Sequence, residues 1–100
     1  MPEPLAAPVL DQLFREARTF SRFTDRPVDD ATLRAVADLM KMGPTSANAS
    51  PARIVFVKSP EAKERLRPHL SEGNREKTMR APVTAVVGWD TEFYDKLDFL

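Results

Sequence analysis

Apolar residues recur along this chain in two rhythms. From Val9 to Ala17, the positions Leu10, Leu13, Phe14 and Ala17 fall on one helical face. Phe20 to Val28 has no such period and ends at Pro27, so it reads as an irregular connector. Asp29 or Asp30 then caps a second helix, in which Leu33, Val36, Ala37 and Met40 recur at i, i+3, i+4 and i+7. Gly43 stops that helix and Pro44 prevents its resumption. Ile54-Val55-Phe56-Val57 is an unbroken apolar run, too short for a helix, and predicts a strand covered on both faces. Ser59-Pro60-Glu61 is a helix start with Ser at the N-cap, Pro at the first helical position and an acid in the first turn. Pro68 limits that helix to about Arg67. Asn74 to Arg80 predicts one or two polar helical turns. Val83-Thr84-Ala85-Val86-Val87 is a second buried strand ending at Gly88, and Thr91 to Leu100 begins a further helix with Phe93, Leu97 and Leu100 on one face.

The predicted order is helix, helix, strand, helix, strand, helix. Two apolar strands separated by a helix suggest a sheet with helices over its faces. Two strands are too few for an independent sheet. Residues 1–8 hold three prolines and are expected to form a flexible arm, with 9–100 as the structured part. The sequence stops at Asp98-Phe99-Leu100 inside an apolar helical pattern, so the expectation is an incomplete domain.

Composition narrows the classes. One hundred residues make one small domain at most. Fifteen basic and fifteen acidic residues cancel, which argues against nucleic acid or an anionic membrane as partner. With no cysteine, thiolate metal sites and a Cys nucleophile are excluded. The start, Met1-Pro2-Glu3-Pro4, lacks the features of a signal peptide, and no apolar run approaches a membrane span. A cytoplasmic protein is expected.

Three segments carry candidate chemistry. The loop Gly43-Pro44-Thr45-Ser46-Ala47-Asn48 lacks bulky side chains and offers hydroxyl, amide and backbone hydrogen bonds, as a planar ligand with a polar rim needs. It is equally an ordinary helix-to-strand connector. Arg18-Thr19-Phe20-Ser21-Arg22 pairs guanidinium groups with hydroxyls, which suits an anion, although a solvated basic turn has the same composition. Asn74-Arg75-Glu76-Lys77 reads alone as a solvated helix face. His69 is the single histidine and has no metal-ligating companion; it reads as a surface residue. Trp89, after the second strand, reads as core. Asp11, Glu16, Asp90, Glu92 and Asp95 form no recognisable acid–base pair.

These segments, taken in order, resemble the N-terminal half of the FMN-dependent nitroreductase family, from about Leu10 onward. The similarity is strongest to the branch with malonic semialdehyde reductases and NADH dehydrogenase/NAD(P)H nitroreductases of pyrimidine utilisation. Its carriers are Glu16-Ala17-Arg18-Thr19, Asp25-Arg26-Pro27-Val28, Met42-Gly43-Pro44-Thr45-Ser46-Ala47-Asn48, Ser50-Pro51-Ala52-Arg53 and Ala81-Pro82-Val83-Thr84. The resemblance implies an α+β fold of nitroreductase type, a central mixed sheet flanked by helices, of which this chain holds the N-terminal half. It implies that Arg18 and Thr19 hold the FMN phosphate. Ser21 stands where many relatives carry a second Arg, and Arg22 is the nearest substitute for that charge. Pro44, Thr45, Ser46 and Asn48 are implied to lie along the flavin at a dimer interface. Asn74 and Lys77 match positions near its pyrimidine end, where a fixed cation favours the reduced form.

The implied function is FMN-dependent reduction of a small acceptor by NADH or NADPH in a ping-pong cycle, in a protein that is a homodimer at full length. The acceptor is a nitroaromatic, a quinone or an aldehyde such as malonic semialdehyde. No residue here selects among these. The isolated half is expected to fold weakly and retain little flavin, because sheet edges and apolar helix faces would be uncovered. The alternative is a non-catalytic flavin-binding or interaction module. A helix-turn-helix around Gly43 is disfavoured by zero net charge and the lack of a basic recognition helix.

Overall fold

The computed structural model describes residues 2–45 and 49–92. Helix α1 spans Ala7–Leu10 and continues as one wider π turn over Asp11–Arg15. It therefore begins inside the proline-rich arm, with Pro8 in its first turn, where a missing N–H costs nothing. The turn closes when the Glu16 N–H donates to the Asp11 carbonyl at 2.8 Å, short of the expected Ala17. Of its apolar stripe, Leu10 is half-buried, while Leu13 and Phe14 are exposed.

Helix α2, Asp30–Met40, is capped by Asp29, whose carboxylate accepts the Thr32 N–H at 2.8 Å. Hydrogen bonding from Thr32 holds the Asp29 carboxyl below its ordinary value, with the Lys58 ammonium adding to it. Leu33, from the predicted stripe, is buried. Helix α3, Pro60–Leu66, starts as expected, with Ser59 Oγ accepting the Ala62 N–H at 3.1 Å. It then tightens into a 3₁₀ turn around Pro68, over Arg67–His69. Arg67 grips Glu64 with two nitrogens at 3.0 and 2.9 Å, which pulls the Glu64 carboxyl down. Helix α4 spans Glu72–Arg80, two residues longer at its start than predicted.

Strands β1 (Ala52–Val57) and β2 (Thr84–Trp89) pair antiparallel, with Val55 opposite Val86 and Ile54 opposite Val87. Since opposed residues share a face, Ile54, Phe56, Ala85 and Val87 lie on one side, and Val55, Val57, Thr84 and Val86 on the other. Helix α2 serves the first side: Leu33 and Ala37 line a cleft with Phe56. Helix α3 serves the second, where Ala62 and Leu66 line a cleft with Val55 and Val57. An ion pair from Lys58, at the end of β1, to Asp30 at 2.8 Å ties sheet to helix, and its hydrogen bond and charge lower the Asp30 carboxyl.

This arrangement corrects two expectations. The strands are not covered throughout: Val57 is buried, but Val55 is 61% and Val87 69% exposed. Trp89 is not core; it sits at the open end of β2, 73% exposed. The buried hydrophobic set among the described residues is Leu33, Val57 and Ala81, and the radius of gyration, 17.2 Å, exceeds the about 13 Å of a compact domain this long. Both corrections have one source: α2 and α3 both line clefts with β1, and no described helix lines a cleft with β2, whose apolar side chains stay in solvent. The antiparallel pair is the part of the expected mixed sheet seen here, and the helix expected over 91–100 lies outside the described residues from Phe93 on. No helix among the described residues is long and apolar enough to cross a membrane.

Candidate functional site

The chain leaves the π turn at Glu16 and runs without regular structure through Arg18-Thr19-Phe20-Ser21. All four are exposed. Arg18 Nη1 donates to the carbonyls of Ala17 at 2.7 Å and Arg15 at 3.4 Å. No carboxylate pairs with Arg18 among the described residues, and no hydrogen bond engages the side chains of Thr19 or Ser21 there. A guanidinium beside two open hydroxyls is a donor set that fits a phosphate.

The second segment follows α2. The N–H groups of Met42 and Gly43 fold back on the carbonyls of Leu39 and Met40, each at 3.1 Å, and Pro44 carries the chain away. A Cβ on Gly43 would lie 3.3 Å from the Met40 carbonyl oxygen, so a larger residue would crowd this turn. Thr45 lies in a cleft of about 230 Å³ with Met40, Lys41, Gly43, Ser50, Ala52 and Ile54. Its Oγ1 accepts the Ser50 N–H at 3.0 Å. Ser46 and Asn48, singled out from the sequence, lie outside the described residues.

The third segment is the α4 face carrying Asn74 and Lys77, three residues apart and thus side by side. Asn74 is exposed and donates from Nδ2 to Ser71 Oγ at 3.0 Å. Lys77 is half-buried, and among the described residues no carboxylate pairs with it. An uncompensated, partly desolvated ammonium fits a ligand on which negative charge develops.

The three segments have suitable chemistry, but the described residues do not assemble them in one cavity. Among the described residues, Arg18, Thr19, Ser21, Asn74 and Lys77 line none of the main clefts, the one holding Thr45 included. His69 is exposed, as expected, and no group of three or more His, Asp or Glu suited to a metal occurs among the described residues.

Residues assigned no site role from the sequence stand beside the second segment. Ser50 adopts a left-handed backbone conformation, φ 49°. Arg53 donates to the Ser50 carbonyl at 2.9 Å and reaches Asp90 at 3.1 Å. Asp90 is sequence-remote, so no local signal pairs it with Arg53. Arg75 is a different omission: its Nη2 donates to the Leu70 carbonyl at 3.0 Å, while its buried Nε has no partner among the described residues.

Comparison with known proteins gives this constellation its context. Residues 14–97 match the model of the nitroreductase family. Among curated proteins, the chain is 63% identical over 93 residues to a Burkholderia lata protein named "Putative NADH dehydrogenase/NAD(P)H nitroreductase". That alignment takes in 93% of this chain and 48% of the relative, so the chain spans about half the length of the curated relative it matches. All three candidate segments fall inside the matched stretch, and with an α+β arrangement of helices about an antiparallel strand pair, the chain belongs to the nitroreductase family.

Proposed function

We propose that the protein to which this sequence belongs is an FMN-dependent oxidoreductase that uses NADH or NADPH to reduce a small acceptor. Nitroaromatics, quinones and small aldehydes such as malonic semialdehyde are the acceptor classes. What carries the reading is that every proposed flavin contact, from Arg18 to Lys77, lies within the family match at 14–97. FMN, when bound, supplies hydride acceptance from the nicotinamide and hydride delivery to the acceptor.

The chain's own residues bind and tune. Arg18 grips the phosphate, with the Thr19 and Ser21 hydroxyls donating to its remaining oxygens. Pro44, Thr45, Ser46 and Asn48 flank the ring, their small size leaving room for a flat ligand. Asn74 and Lys77 serve its pyrimidine end; the half-buried Lys77 ammonium stabilises negative charge there and so favours reduction. The proposal includes a homodimer, in keeping with the apolar surface left open on this chain, such as Phe14, Phe20 and Leu39, and a cytoplasmic location.

The test is a visible spectrum after incubation with FMN and desalting, together with NAD(P)H oxidation. The full natural chain should retain flavin and oxidise NADH or NADPH with an added quinone. Arg18→Ala should weaken FMN binding by about tenfold or more, the loss of a charge-assisted contact. Flavin retention without NAD(P)H oxidation would replace this reading with a flavin-binding module. Absence of any flavin would overturn both.

A further inference from the structure

Four hydrogen bonds converge where the chain passes from the Thr45 turn into β1. Ser50 holds a left-handed backbone, uncommon for a residue with a side chain and persistent only when neighbours impose it. Its N–H donates to Thr45 Oγ1 at 3.0 Å, and its carbonyl accepts from Arg53 Nη1 at 2.9 Å. The other arm of the same guanidinium, Nη2, reaches Asp90 Oδ2 at 3.1 Å. The Asp90 N–H returns to the Pro51 carbonyl at 2.8 Å, just beyond the last strand pair, Ala52 with Trp89. A chain of contacts thus runs from the end of β2 through Asp90 and Arg53 to Ser50 and Thr45.

We propose that Arg53 is a positioning residue for FMN binding: its fork, anchored on Asp90, locks Ser50 and through it presets Thr45. The proposal rests on the functional reading above, in which Thr45 borders the flavin. The argument is one of geometry. The two anchors lie 37 residues apart in sequence, and only a planar fork meets a carbonyl and a carboxylate at once. A ligand that binds one conformation of a loop loses affinity in proportion to the time the loop spends elsewhere. Arg53 acts by raising the occupancy of that conformation before the ligand arrives.

The experiment uses the full natural chain and two readouts. FMN dissociation constants come from flavin fluorescence titration, and exchange of the Ser50 amide hydrogen is followed in flavin-free protein. Arg53→Ala should weaken FMN and speed Ser50 exchange, each by about tenfold, the scale of losing a charged hydrogen bond. Arg53→Lys should not restore either, since an ammonium lacks the fork. The double variant Arg53→Ala/Asp90→Asn should bind FMN no worse than Arg53→Ala alone, because the two residues act as one unit. Ser59→Ala, which removes the α3 cap remote from this cluster, controls for general destabilisation and should leave the FMN constant unchanged. Unchanged Ser50 exchange or unchanged FMN affinity in Arg53→Ala overturns the inference, as does an equal loss in Ser59→Ala. If the unaltered protein binds no FMN, the functional reading fails and takes this role with it. Binding by the unaltered protein with no effect at Arg53 sinks this inference alone.

Discussion

The two strands of the sheet are nearly matched in sequence and unlike in surroundings. β1 carries Ile54-Val55-Phe56-Val57 and β2 carries Ala85-Val86-Val87, both runs with the β-branched character of buried strands. In β1, Val55 is exposed, but Phe56 is half-buried beside Leu33 and Ala37 of α2, Ile54 is half-buried beside Met40 at its end, and Val57 is 8% exposed beside α3. In β2, every residue after Thr84 is exposed, including Val86, Val87 and Trp89. Apolar content thus says that a strand is built to be covered, and only the placement of other elements says whether it is. Among the described residues, α2 and α3 both reach β1, and β2 keeps an apolar surface in solvent.

The contrast can be tested directly. Val57→Ala should cost about 2 kcal/mol, from lost transfer energy and the cavity left behind, read as a shift of the urea midpoint. Val87→Ala should stay within about 0.5 kcal/mol if the residue remains as open as here. Should Val87→Ala prove as costly as Val57→Ala, β2 is covered in the folded protein and the asymmetry does not hold there. A smaller effect comes from the α3 frame behind β1: Ser59→Ala should cost about 1 kcal/mol by removing the cap on the Ala62 N–H. If the midpoint does not move, α3 is held by packing on Val57 rather than by its start signal.

The smallest effect is electrostatic. Asp29, Asp30 and Glu64 are all held below their ordinary values, first of all by hydrogen bonds to Thr32, Lys58 and Arg67 respectively. A carboxyl whose folded pKa lies below its unfolded value binds its proton more readily when unfolded. Each therefore contributes stability above the unfolded value, about 3.9 for Asp and about 4.3 for Glu, and that contribution is lost as pH falls through the folded value. Stability should be flat above about pH 5 and decline below about pH 4. Lys58→Met, which breaks the one of these contacts that joins helix to sheet, should make the acid decline shallower. An unchanged acid limb would mean that Asp30 gains nothing from Lys58 in solution.

The candidate site divides in a similar way between local and remote. Pro44 and Gly43 announce the turn from their own chemistry, and Thr45 falls in the cleft beyond it. The Arg18 and Lys77 segments are legible only as composition: a basic turn and a polar helix face look alike whether or not they hold a ligand. What was not legible is the Arg53–Asp90 contact, since its partners are brought together by strand register. Asp90 in isolation is one more surface acid.

From the sequence follow the things that depend on neighbours a few residues away. Asp29 and Ser59 cap because a short oxygen-bearing side chain sits before an open first turn, and α3 ends at Leu66 because Pro68, two residues on, removes a donor. The strands follow from runs of β-branched residues. The tertiary structure alone decided that β1 and β2 run antiparallel, that α2 and α3 take opposite faces of one strand, and that Ser50 is held left-handed by an arginine tied to the far strand. Those outcomes depend on which surfaces meet, and that is not written in any local stretch of the chain.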